Sequence, residues 1–468
     1  MRTYGIIING KLEQTAKTKP VKNPATNEIV GHMPLAATED LDRAVTAAEA
    51  AYQKWRLVPD SARAAACTAI ADVIEQNLEE IAQIVTKEQG KPLNGIGSRF
   101  EIGGAVAWSR NVAGLELPVE IIDDNPDAPV TLHRKPVGVV GSITPWNWPI
   151  SIAIWHILPA IRAGNAVVIK PSPNTPLSTL RLVELINEVL MPGLLNAVTG
   201  ENSLGAAMTN HPGIAKITFT GSTATGIKVM SSAADSLKRL TLELGGNDAG
   251  IVLPDADPKA IVEKLFWGAF INNGQTCAAL KRLYVHDSIY DEVCRELTAF
   301  AQKVITGNGQ NEDSDLGPLQ NEMQYGIVSR YVDEAIAKGG RVLTGGAPTH
   351  GDGYFYPVTL VADIDHGCDL VDKEQFGPAL PIIRYSDLDD VVAKANATTY
   401  GLGGSVWSSD LVKAREIAGR LECGTVWINA HGLLRPDTPF SGVKQSGIGV
   451  QFGVEGLREL TTIQSVVG

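Results

Sequence analysis

Val137-Gly138-Val139-Val140-Gly141-Ser142-Ile143, running straight into Thr144-Pro145-Trp146-Asn147, is the stretch whose reading decides the fold. It is short, apolar and β-branched, which suits a buried strand. Runs of the same kind return at 166–170, 195–198, 216–220 and 239–244, with helical segments between them. A strand–helix–strand series of this kind needs right-handed crossovers and gives a mainly parallel sheet, and such a sheet binds ligands outside the carboxyl ends of its strands. The polar and small residues fall at those ends. Thr144 to Asn147 follow the first strand, Lys170-Pro171-Ser172 closes the second, Gly221-Ser222 follows the fourth, and Glu243 closes the fifth.

Working outward, Gly221-Ser222-Thr223-Ala224-Thr225-Gly226 lies between a strand and a helix. Its N–H groups and hydroxyls could meet a pyrophosphate at the helix start, although the spacing is not GxGxxG and a Ser/Thr helix start is also an ordinary cap. Further on, Ile271-Asn272-Asn273-Gly274-Gln275-Thr276-Cys277-Ala278-Ala279 offers Cys277 as a nucleophile in a loop of small and polar residues. A cysteine by itself is more often apolar filler. Glu243 changes the balance, because a carboxyl on an apolar strand end loses solvation, its pKa rises, and it becomes suited to take a proton from water or thiol.

The 468 residues exceed what one hydrophobic core organises, so two or three domains are expected. A net charge of −12 opposes broad binding to nucleic acid or acidic membranes. The five cysteines form no CxxC pair, so neither a disulfide framework nor a metal cluster is expected, and a reducing cytoplasm fits. The start of the chain lacks a signal-peptide pattern, and residues 146–163 are too interrupted to span a bilayer and read as a buried helix. Asn9-Gly10 and Asn23-Pro24-Ala25-Thr26 mark turns of a hairpin-like start. Thr38 reads as the cap of a first helix, and a second helical stretch runs from about 61 to a stop at Gly90. No P-loop, HExxH or GxSxG pattern occurs, which lowers the odds of a nucleoside triphosphatase, a zinc protease or an α/β-hydrolase.

Taken in order, Pro145-Trp146-Asn147-Trp148-Pro149, Lys170-Pro171-Ser172, Phe219-Thr220-Gly221-Ser222, Glu243-Leu244-Gly245-Gly246, Gly274-Gln275-Thr276-Cys277, Glu374-Gln375-Phe376-Gly377-Pro378 and Pro439-Phe440-Ser441-Gly442-Val443-Lys444 resemble the aldehyde dehydrogenase superfamily over nearly the whole chain. The resemblance implies an α/β fold. A Rossmann-type cofactor domain would be formed by 1–117 and 138–245, a catalytic domain by 246–445, and oligomerisation segments by 118–137 and 446–468, giving a homodimer or homotetramer. It also implies oxidation of an aldehyde to a carboxylate with NAD or NADP. Cys277 would attack the carbonyl carbon, Asn147 and the Cys277 N–H would hold the oxyanion, and Glu243 would activate the hydrolytic water. Thr144, Trp146, Lys170, Ser172, Gly221, Ser222, Glu374 and Phe376 would line the cofactor site; Lys170 and Glu374 would meet ribose hydroxyls and Ser222 the pyrophosphate. A hydrolase without nicotinamide would leave Lys170 and Glu374 unexplained, and an acylating, CoA-dependent relative often lacks the glutamate.

Three positions depart from the family pattern. Pro173 stands where many NAD-preferring members carry an acid, which removes both an acceptor for the adenosine ribose and a charge that would repel a 2′-phosphate. NAD use with weak exclusion of NADP is therefore expected. His156 replaces a common lysine after the helix tryptophan; it reads as a core residue, or as a proton relay if it approaches Glu243. Asn247-Asp248 carries no functional reading. For the substrate tunnel the resemblance points to Trp148, Ile152, Trp155, Ile271 and Phe440, with Leu433 and Leu434 from the loop before Pro439. Arg435 is the cation that could accept a substrate carboxylate if it faced inward. Pointing outward, it leaves a tunnel for uncharged aliphatic or aromatic aldehydes rather than semialdehydes or betaine aldehyde.

Overall fold

The computed structural model describes residues 2–349 and 351–468. Two large sheets carry the molecule. In the first, the strands run in the order Gly447–Ile448, Arg239–Glu243, Lys216–Thr220, Val139–Ile143, Ala166–Lys170, Leu195–Ala197, Ile6–Ile8 and Lys11–Glu13. The five central strands are parallel. From Val139–Ile143 the chain builds to one side through Ala166–Lys170 and Leu195–Ala197, then returns to the other flank with Lys216–Thr220 and Arg239–Glu243. The strand order thus reverses between Val139–Ile143 and Lys216–Thr220, which opens a crevice at their carboxyl ends. Helices cover both faces, so Ala166–Lys170 and Lys216–Thr220 are buried along their whole length. That double burial is why these strands are apolar runs instead of alternating ones.

The second sheet takes seven strands from 248–428: Arg341–Thr344, Thr359–Ala362, Ala379–Tyr385, Leu280–His286, Asp248–Val252, Gly403–Trp407 and Thr425–Ile428. All neighbours are parallel except the first pair. A third, antiparallel sheet joins Thr461–Val467, Val130–Pro136 and Glu120–Asp123. The carboxy-terminal segment divides between two sheets, since Gly447 pairs with Glu243 in the large parallel one.

Local chemistry moves several expected boundaries. The strand expected from Val137 begins at Val139, because Asn165 Oδ1 takes the N–H groups of Val137 and Gly138 at 2.7 and 3.0 Å. The stretch 61–90 is two helices, Asp60–Gln76 and Leu78–Gln89, broken at Asn77, whose side chain donates back to the Val73 carbonyl at 2.8 Å. Gly90 ends the second with φ 99°, a conformation glycine adopts without strain. The first helix is capped at Ala37 and not Thr38, with the Asp40 carboxylate accepting the Ala37 N–H at 2.9 Å. Residues 146–163 do contain a buried helix, Pro149–Arg162, with proline at its start. Among the described residues no helix is long and apolar enough to cross a membrane.

Candidate active site

The loop before Cys277 is built from three consecutive left-handed residues, Asn272 (φ 52°), Asn273 (φ 58°) and Gly274 (φ 74°). Asparagine tolerates this region better than other side chains do, which accounts for the pair. Gly274 has a second constraint: a Cβ there would sit 2.2 Å from the Gly377 carbonyl oxygen. Polar contacts then fix the loop. Asn272 Nδ2 donates to the Asn147 carbonyl at 2.9 Å, and the Gln275 side chain donates to Asn272 O and accepts from the Gln320 N–H.

Asn147 is held from two directions. Its Nδ2 donates one N–H to the Gln275 carbonyl at 2.9 Å, leaving the second amide hydrogen free. Its carbonyl also accepts from Lys91 Nζ at 2.8 Å. Lys91 pairs with Glu101 at 2.6 Å, both side chains fully buried, and Glu101 accepts the N–H groups of Ile150 and Ser151 at the start of the Pro149–Arg162 helix. A buried lysine is tolerable here because a carboxylate and a carbonyl meet it, while the carboxylate in turn caps a helix dipole. Burial still pulls Lys91 down to about 8. The ammonium lies 3.5 Å from the centroid of the Trp148 ring, whose N–H donates to Thr276 Oγ1 at 3.0 Å. Trp148 therefore braces the helix start against the Cys277 loop.

Glu243 is buried, and its Oε1 has no hydrogen-bond partner among the described residues. Burial pushes its carboxyl up to about 8, opposed by the neighbouring Cys277 thiol and by Lys281. Cys277 keeps partial exposure. Its thiol is raised well above the ordinary value by burial and next by Glu243, while Lys281 pulls it down. Lys281, which the sequence did not single out, donates to the carbonyls of Thr276 and Cys277 at 2.6 and 2.9 Å and lies 3.6 Å from Glu374 Oε1.

The expected cofactor residues gather along the crevice. Glu374 accepts the Gly246 N–H at 3.1 Å, and a Cβ on Gly245 would come within 2.4 Å of Glu374 Oε2, so the Gly pair is needed for this approach. Trp146 and Phe376 meet edge to face with centroids 5.4 Å apart. Lys170 is buried, finds one weak partner, the Pro171 carbonyl at 3.5 Å, and is pulled down to about 8 by burial. Thr144 is buried, its hydroxyl without a partner among the described residues. Ser172 Oγ accepts the Asn174 N–H, and Gly221 donates its N–H to the Glu243 carbonyl, joining two strand ends. Ser222 is the N-cap of helix Thr223–Ala234, accepting from Thr225 N. A near-free buried ammonium, a carboxylate on a glycine pair and a helix start facing one crevice fit a dinucleotide's hydroxyls and phosphates.

Beside Cys277 lies an aromatic cluster: Trp427, Phe440 and Phe452 buried with Ala278 and Leu402, and Trp108, Trp155, Leu434 and Cys277 packed against them. The Trp155 and Phe452 ring centroids are 4.8 Å apart, and Trp108 is 5.6 Å from each of them. Trp155 and Phe440 were expected here; Trp108, Trp427 and Phe452 were not. They come from chain segments far from Cys277, and no local spacing announces them. Ile152 is buried outside the cluster, and Ile271 is half-buried outside it. Leu433 is 65% exposed, its carbonyl tied to the Trp427 N–H, so of the two loop leucines Leu434 alone packs inward. Arg435 points outward and forms a bidentate pair with Asp437.

Two departures acquire explanations. His156 sits between the Ser142 and Thr220 hydroxyls at 2.9 and 3.1 Å, and burial drops it to about 3, which accounts for it as a neutral, hydrogen-bonded core residue. Asp248 accepts the Gly403 N–H and lies 3.6 Å from His431, which bonds Ser405 at 2.8 Å; this pair anchors the loop carrying Leu434 to the second sheet.

Comparison with known proteins agrees with this geometry. The profile of the Aldehyde dehydrogenase family matches residues 12–466. A phenylacetaldehyde dehydrogenase of Pseudomonas fluorescens is 39% identical over 470 residues, 97% of this chain and 93% of its own. The NAD+ complex of an aldehyde dehydrogenase from Bacillus cereus superposes with a TM-score of 0.97 at 34% identity, covering 100% of this chain and 96% of that one. A betaine aldehyde dehydrogenase of Staphylococcus aureus bearing NAD+ gives 0.96 at 33%, covering 100% and 98%. The fold is thus shared over full length, and the chain belongs to the aldehyde dehydrogenase family.

Proposed function

We propose that this enzyme oxidises uncharged aldehydes, aromatic ones foremost, to carboxylic acids with NAD and, less selectively, NADP. One observation carries the reading: the partly exposed Cys277 stands between a buried carboxyl with a free oxygen and a cluster of aromatic rings. Cys277 loses its proton to solvent, its Sγ adds to the carbonyl carbon as the C=O π bond opens, and the oxygen that gains charge meets the second Asn147 amide hydrogen and the Cys277 N–H. Donors fixed before the charge appears are worth about 10²- to 10³-fold in rate each. A nicotinamide held along the crevice by Lys170, Ser222 and Glu374 would supply the hydride acceptor for the oxidation. The carbon is then held as a thioester on Cys277; Glu243 takes a proton from water, the water oxygen adds to that carbon, and the acid departs as the thiol is restored. A carboxylate-bearing substrate would enter without a cation, because Arg435 is turned away and paired.

The family resemblance supports a homodimer or homotetramer, and the exposed edge of Thr461–Val467 supplies a strand through which copies could pair. The test of function is the absorbance of reduced nicotinamide on mixing the protein with NAD or NADP and a panel of aldehydes. Benzaldehyde and hexanal should exceed succinic semialdehyde and betaine aldehyde in kcat/KM; the reverse order would overturn the substrate assignment, and no reduction with any aldehyde would overturn the activity.

A further inference from the structure

Lys281 has no part in the chemistry above, yet it is 1% exposed and its ammonium lies against the nucleophile loop. Strand Leu280–His286 begins immediately before it; Leu280 and Arg282 pair with Asp248 and Ala249 across an irregularity at Lys281, whose own carbonyl accepts from the Gln375 side chain at 3.3 Å. From there Nζ reaches the carbonyls of Thr276 and Cys277, the two residues that present the thiol, and the Glu374 carboxylate 3.6 Å away. The Cys277 carbonyl also lies close to Gly246, where a Cβ would come within 2.8 Å of it.

The other ionisable groups close to the site are carboxyls. Glu243 comes from the end of Arg239–Glu243, Glu374 from the loop before Ala379–Tyr385, and Asp248 from the start of Asp248–Val252. Helix Pro149–Arg162 turns His156 toward Ser142 and Thr220; the loop after Thr425–Ile428 turns His431 toward Asp248 and Arg435 outward. A thiolate formed beside Glu243 and Glu374 in a buried site needs a fixed opposite charge, because burial weakens the screening that solvent gives at a surface.

We propose that Lys281 is a positioning residue for the oxidation, its ammonium orienting the Thr276–Cys277 backbone and supplying the positive charge that lets the Cys277 thiol ionise. The proposal rests on Cys277 being the nucleophile. In the resting protein the thiol is raised by burial and by Glu243, and Lys281 is the cation opposing both. Without Lys281 the loop would keep its left-handed turn, held by Asn147 and Gln275, but the thiol would lose its counter-charge.

The experiment is the pH dependence of Cys277 alkylation by iodoacetamide without NAD, with the modified residue located by peptide mass. Lys281→Met should raise the apparent pKa of alkylation by about one unit and slow the reaction about tenfold on the acid side of the curve. Lys281→Arg should stay near the parent. Lys281→Gln, which can still donate to a carbonyl but carries no charge, should follow Lys281→Met, and it reads the same shift if the methionine variant does not fold. An unchanged or lowered pKa in the neutral variants, or a parental profile in Lys281→Gln, would overturn the proposal. If instead alkylated Cys277 leaves oxidation intact, the nucleophile assignment fails, a result separate from the Lys281 profiles.

Discussion

The cofactor crevice and the aromatic cluster meet at Cys277 but are built in opposite ways. The crevice is made at the ends of consecutive parallel strands, where short contiguous motifs put Lys170, Gly221, Glu243 and, from the second sheet, Glu374 within reach of one groove. The cluster is made of side chains from five separated places: Trp108, Trp155, Trp427, Phe440 and Phe452. Backbone geometry dictates the first, so few sequences satisfy it; packing alone dictates the second, and any well-filled set of rings will do. Cofactor handling should therefore be insensitive to changes that remake substrate choice.

The largest test removes the point where the two regions join. Cys277→Ala should lower aldehyde oxidation by roughly a thousandfold or more while NAD binding, read by fluorescence titration, stays within about twofold. Loss of NAD binding would show that the regions are not separable. A smaller effect is expected at Glu243. Glu243→Gln should still give a stopped-flow burst of reduced nicotinamide and then turn over about a hundredfold more slowly. Because the buried carboxyl is raised to about 8, the parent's steady-state rate should climb as pH rises through that value and Glu243 loses its proton, and the variant should lack that limb. Absence of the burst would move Glu243 from the water to the thiol. The smallest effect belongs to the cluster. Trp155→Ala should cost about 10- to 100-fold in kcat/KM for benzaldehyde, the equivalent of ~1.5–3 kcal/mol of aromatic burial, with the NAD affinity unchanged. An equal loss for acetaldehyde would mean that Trp155 supports the loop instead of the substrate.

What was legible in the sequence follows the same division. Lys216–Thr220 and Ala166–Lys170 appear as β-branched runs with the boundaries found in the fold, because strands buried on both faces leave a contiguous record. The residues at their carboxyl ends inherit that legibility from topology. Lys91 and Glu101 left no such record, since a lysine after a glycine and a glutamate in a helix are ordinary surface residues until tertiary structure buries them together. Lys281 hides for the same reason, beside Arg282 at a strand start where two adjacent cations read as solvated residues. His156 was readable as an unusual residue, but its neutrality depends on hydroxyls from Ser142 and Thr220, on two other strands.

The buried pair of Lys91 and Glu101 also bears on how the protein comes into being. Asn147 and the helix behind it are held by residues made early in translation, whereas the ring of Phe452 that completes the cluster comes close to the last residue. A nascent chain can assemble the Lys91–Glu101–Asn147 contacts long before Phe452 reaches the cluster. Contacts so widely spaced in sequence form late in folding. A ribosome-bound or truncated chain ending before Phe452 would carry a Cys277 whose aromatic surroundings are unfinished.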